Sequence, residues 1–131
     1  MIATVQRVSE AKVEINNNIY SEIGEGVLIL LCVESEDNLD QAVKMSEKIL
    51  NFCILEGDSG IMSASLRDLE EDVMIISQFT LAGKFLKGNR PSFVNAKDPK
   101  IAEDMITSIV NEFSKYLTIK TGSFGAMMML V

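Results

Sequence analysis

The sequence predicts an α+β domain: mostly antiparallel β-sheets, or a barrel-like core, carrying two helices. Three observations point there. Short alternating stretches open the chain, a wholly apolar run follows at residues 27–33, and two stretches with helical spacing interrupt further strand-like segments. No internal repeat, low-complexity tract or Pro/Gly-rich linker divides the 131 residues, so residues 1–131 read as a single domain.

Val5 and Val8 belong to an opening strand. Ala11, Val13 and Ile15 alternate with Lys12 and Glu14, the pattern of a half-buried strand. Asn16-Asn17-Asn18 supplies a turn, because asparagine tolerates left-handed backbone, and residues 19–23 return antiparallel. After Gly24-Glu25-Gly26, the run at 27–33 has no polar face and predicts a central strand covered on both sides. Asp37 or Asn38 can cap the first helix, whose Leu39, Ala42, Val43, Ser46, Ile49 and Leu50 recur at helical spacing. Residues 52–56 resume extended structure and Gly57-Asp58-Ser59-Gly60 turns it. An acidic stretch at 68–72 leads into a strand at 73–80 whose last four residues become polar and aromatic. The second helix has Asp98 as N-cap and Pro99 in its first turn, where a missing N–H costs nothing. Its stripe is Ile101, Met105, Ile106, Ile109, Val110, Phe113 and Leu117. Residues 118–121 and 124–131 read as closing strands around Gly122.

Composition excludes several function classes. Apolar residues make up 47% and charged residues 24%, a balance too apolar for a disordered chain. The 27–33 run is far short of the ~20 residues that span a bilayer, and Gln6, Arg7, Glu10 and Lys12 stand where a signal peptide needs apolar residues. A cytoplasmic protein with no membrane partner is expected. There is no histidine, which removes Ser-His-Asp and Cys-His catalysis and the commonest zinc ligand. Cys32 and Cys53 lie far apart in apolar stretches, so they read as buried free thiols, and neither a metal nor a cofactor is expected.

Three clusters remain as candidate chemistry. Ser77-Gln78-Phe79-Thr80 ends an apolar strand, with a ring on which a nucleobase can stack and hydrogen-bonding groups beside it; alternatively, a strand is simply turning polar as it leaves the core. Lys87-Gly88-Asn89-Arg90-Pro91-Ser92-Phe93 offers Lys87 and Arg90 to phosphates and Phe93 as an anchor. It lies in the one basic stretch, 84–100, which carries +4 in a chain of net charge −7. A solvated surface loop is the plainer alternative. Thr121-Gly122-Ser123-Phe124-Gly125-Ala126 allows close backbone approach at its glycines, or marks only a bulge. Met127, Met128 and Met129 suit core filling or a dimer contact better than a ligand site.

Together these clusters resemble the D-aminoacyl-tRNA deacylase (D-tyrosyl-tRNA deacylase) family. Gln6-Arg7-Val8, Gly24-Glu25-Gly26 and Lys48-Ile49-Leu50 match it as well, and the three clusters stand in the family's order and spacing. The resemblance implies a homodimeric hydrolase that cleaves the ester joining a D-amino acid, or glycine, to the 3′-terminal adenosine of tRNA. It implies a site of largely main-chain groups around Ser77, Gln78, Phe79 and Thr80, with the ribose 2′-hydroxyl assisting the attacking water, so that no protein base is required. Phe79 would seat the adenosine. Arg7, Lys87, Arg90, Phe93, Gly122, Phe124, Ala126 and Met128 would serve substrate binding.

Family members continue past the position of Val131 into a strand whose Gly–cis-Pro pair enters the partner's pocket and excludes L-amino acids. The prolines here are Pro91 and Pro99, and neither follows a glycine. The domain at 1–131 is therefore expected to lack that strand, with chiral discrimination, stability or both reduced, and Arg7, which in the family braces the motif, is expected to lack its usual partner. The alternative expectation is a catalytically impaired homodimer that binds a tRNA end or nucleotide. An ester hydrolase using the Thr80 hydroxyl ranks last, since a threonine without an adjacent base is weakly nucleophilic.

Overall fold

In the computed structural model, which describes residues 1–131, thirteen elements build three layers. The strands are β1 (Ile2–Val8), β2 (Ala11–Ile15), β3 (Asn18–Ile23), β4 (Gly26–Cys32), β5 (Leu55–Gly57), β6 (Gly60–Ala64), β7 (Asp72–Ser77), β8 (Ile119–Thr121) and β9 (Met129–Leu130). The helices are α1 (Leu39–Asn51), α2 (Leu66–Leu69) and α3 (Pro99–Ser114), with a 3-10 turn at Phe79–Ala82.

A four-stranded sheet, β1-β4-β7-β8, forms the middle layer. β1 runs antiparallel to β4, whereas β4–β7 and β7–β8 are parallel. The expectation of mostly antiparallel pairing holds over all the sheets, but the central sheet is mixed, because α1 and α3 serve as crossovers to parallel neighbours. Strand alternation explains why β4 has no polar side. Val27, Ile29 and Leu31 face α1 and α3 in the larger core with Val73, Ile75, Ile49, Ile109 and Phe113. Leu28 faces the other way, where Met74 and Ile76 meet Ala11, Val13 and Ile23 of the small sheet β3-β2-β9. Asn16 and Asn17, at φ 53° and 64°, make the predicted β2–β3 turn.

Several expectations need correction. Asn38, not Asp37, caps α1, in a reciprocal pair with Gln41. Asp37 is buried instead, 2.8 Å from the N-terminal ammonium, which also meets Glu34. A third helix, α2, interrupts the region read as an acidic lead-in, capped by Ser65 and Asp68. The strand at 73–80 ends at Ser77, so Phe79 and Thr80 lie in a 3-10 turn. The closing strand at 124–131 shrinks to the two residues of β9. Cys32 is buried as expected, but Cys53 is exposed. Leu39, Val43 and Ile101, placed on buried stripes by spacing, are exposed at the helix edges. No helix is long and apolar enough to cross a membrane.

Candidate active site

β7 leaves the core at Ser77, and the chain then tightens: Gln78 N–H donates to the Leu31 carbonyl at 2.8 Å, and the 3-10 turn closes with Gly83 N–H on the Thr80 carbonyl at 3.0 Å. This turn swings Phe79 out of the sheet. Its ring meets Phe93 edge-on, with centroids 5.1 Å apart and planes at 70°. Phe79 remains 57% exposed, so one face stays open. From the opposite side the chain after β8 folds back, bringing Phe124, Ala126 and Met128 toward Ser77. Between these segments lies a cavity of about 660 Å³, within the usual range of ~300–1,000 Å³ for small-ligand sites.

The cavity joins parts of two sequence clusters and one residue of the third. Ser77, Gln78 and Phe79 line it, as do Phe93, Phe124, Ala126 and Met128. Gly122 does not line it but backs onto it: a Cβ there would lie 2.5 Å from Met128 Sδ and 3.1 Å from Ile76 Cδ1. Glycine is therefore what lets Met128 sit against the strand. Thr80 stands outside the lining, and its hydroxyl receives the side-chain amide of Gln78. Arg7 is exposed on β1, and Lys87 and Arg90 are exposed on their loop, none of them lining the cavity.

Sequence reasoning missed the remaining walls. Cys32 at the end of β4 and Val33 after it, the approach to α3 at Ala96, Lys97, Asp98 and Pro99, and Ala102 and Ile106 on α3 itself add walls to the cavity. Burial pushes the Cys32 thiol pKa up, so the group stays protonated and donates toward the Phe79 carbonyl at 3.6 Å. That contact ties the Phe79 main chain to the end of β4. Lys97, counted in the basic stretch at 84–100, is engaged within the fold. Its ammonium donates to the carbonyls of Ser35 and Asp37, each at 2.8 Å, and pins the segment before α3 to the turn after β4. That cation is not free for a phosphate.

Fold and site together define an α+β domain with an apolar, aromatic-mouthed ligand cavity and no histidine or nucleophile–base pair in its wall. The family model described as D-Tyr-tRNA(Tyr) deacylase matches residues 4–131. A D-aminoacyl-tRNA deacylase of Histophilus somni (strain 2336) is 41% identical over 96% of this chain and 88% of its own length. One of Francisella tularensis subsp. tularensis (strain WY96-3418) is 42% identical with the same coverage. Among solved structures, one titled c-Myc DNA Unwinding Element Binding Protein superposes with a TM-score of 0.90 at 37% identity, covering 98% of this chain and 88% of that one. A probable eukaryotic D-amino acid tRNA deacylase shares the fold at TM-score 0.86 and 16% identity, covering 98% and 91%. The chain belongs to the D-Tyr-tRNA(Tyr) deacylase family.

Proposed function

We propose that this protein hydrolyses the ester between a D-amino acid and the 3′-terminal adenosine of tRNA, in the cytoplasm, as a chirality-proofreading step. The observation that carries the reading is the cavity: its wall, in a chain of this family, is the end of β7 with the open ring of Phe79 at its mouth. The adenine stacks on Phe79, and the aminoacyl group enters the apolar space between Ser77, Phe124, Ala126 and Met128. An aminoacyl ester is already activated, so alignment and donors near the developing negative charge suffice. The main chain of Ser77, Gln78 and Phe79 supplies those groups, and the substrate's 2′-hydroxyl orients the water. Lys87 and Arg90 meet phosphates outside the cavity, and Thr80 acts through Gln78 rather than as a nucleophile. A homodimer fits the exposure of Ile19, Tyr20, Met127 and Met129.

The test is release of free tyrosine from D-Tyr-tRNA, compared with L-Tyr-tRNA and with D-Tyr-tRNA ending in 2′-deoxyadenosine. Turnover of the D ester that collapses on the deoxy substrate is expected. Binding of tRNA without cleavage would leave a non-catalytic tRNA-end binder. Full-speed cleavage of the deoxy ester would exclude the substrate-assisted route.

A further inference from the structure

Residues 84–92 form a loop rooted at the cavity mouth that contributes no residue to either core. Lys84 and Ser92 exchange two backbone hydrogen bonds, at 2.9 and 2.6 Å, and the next residue, Phe93, holds Phe79. Gly88, at φ +74°, turns the chain back. Gly88 lies four residues along the chain from Lys84, so the tip stands at most about 14 Å out. Phe85 and Leu86 are 70% and 68% exposed there, with no core beneath them. Lys84, Lys87 and Arg90 flank them, and none of the three pairs with a carboxylate. No acidic residue occurs between Gly83 and Lys97, although the whole chain carries −7.

We propose that this loop is a second stacking platform: Phe85, with Leu86 beside it, receives the unpaired bases immediately upstream of the terminal adenosine, while Lys84, Lys87 and Arg90 follow the intervening phosphates. The inference rests on the reading of Phe79 as the adenosine seat. A polynucleotide whose last base lies against Phe79 continues out of the mouth beside Phe93, where the loop begins. Exposed aromatic rings interleaved with unpaired cations are the chemistry that grips single strands without reading their sequence. The surrounding negative charge repels a polyanion elsewhere, which confines docking to this acid-free stretch.

The experiment compares wild type, F85A and F85W on two substrates, D-Tyr-tRNA and 3′-O-(D-tyrosyl)adenosine, which has no upstream nucleotides. F85A is expected to raise KM for the tRNA about 5- to 150-fold, the usual loss when a stacking ring is truncated. F85W restores it, and neither variant changes kcat/KM on the aminoacyl-adenosine. An unchanged KM for tRNA overturns the proposal. So does an equal loss on both substrates, which would make Phe85 a support for the cavity, or a change of oligomeric state in sedimentation, which would make it a contact between copies. If wild type cleaves neither substrate, the hydrolase reading falls separately. Phe85 is then judged by binding of uncharged tRNA, which F85A must weaken if the platform exists.

Discussion

Truncating Phe79 to alanine separates two roles that one ring fills. Within the fold, less than half of the ring is covered, since 57% of the residue is exposed. A fully buried Phe→Ala change costs ~3–5 kcal/mol, so partial cover scales this to about 1–2 kcal/mol. The edge-on contact with Phe93 at 5.1 Å is a component of that loss, and such pairs are worth ~0.5–1.5 kcal/mol beyond burial. Urea denaturation of F79A, F93A and the double variant reads this pair directly as a coupling energy of that size. Toward substrate, the open face loses base stacking of ~1–3 kcal/mol, a rise in KM of about 5- to 150-fold. Truncation leaves in place the main-chain groups proposed as catalytic donors, so kcat should fall much less than KM rises. Steady-state deacylation of D-Tyr-tRNA by folded F79A gives both numbers. A KM within about twofold of wild type would refute Phe79 as the adenosine seat. A coupling near zero would refute the ring pair as the device that orients it.

Two further outcomes follow from the sheet. At Gly26, paired with Asp72 across the parallel β4–β7 ladder, an added Cβ would fall on the Asp72 carbonyl oxygen, with the carbonyl carbon at 2.9 Å. G26A can be relieved only by parting the two central strands, and it should lower the urea midpoint by the equivalent of about 3 kcal/mol. Glu71 is held above its ordinary carboxylate pKa of 4.5 by burial, then by Glu25 and Asp72. The folded state thus holds this proton more tightly than the unfolded chain. The penalty is absent below the unfolded pKa and grows as pH rises through the folded one. E71Q should therefore raise stability at neutral pH, by no more than about 1 kcal/mol since water still reaches the group. At about pH 4 it should change little, and a uniform gain at both pH values would contradict the charge argument.

What could be read from the sequence was local. Asp98 and Pro99 open α3 as predicted, Asn16 and Asn17 turn the β2–β3 hairpin, and the apolar run of β4 lies between two cores. Each depends on neighbours within a few residues. Helix α2 was missed because four residues show no periodicity, although Ser65-x-x-Asp68 carried a capping signal. The 3-10 turn at Phe79 was hidden by the apolar strand before it, whose pattern seemed to continue. The apolar neighbours of Cys53 and the helical spacing of Leu39 say where an element is apolar, not whether anything covers it. The same limit applied to the site. The clusters at 77–80 and 121–126 both stand out in the sequence, but the meeting of these segments with Cys32 and with residues 96–99 is a product of tertiary packing. Lys97 looked like one more cation of a basic loop until the carbonyls it grips were located.

The chamber draws its walls from stretches as distant as Cys32 and Leu130. Residues 124–130 supply one whole side of it. A chain cut back to Thr121 would keep its central sheet and both long helices while that side lay open.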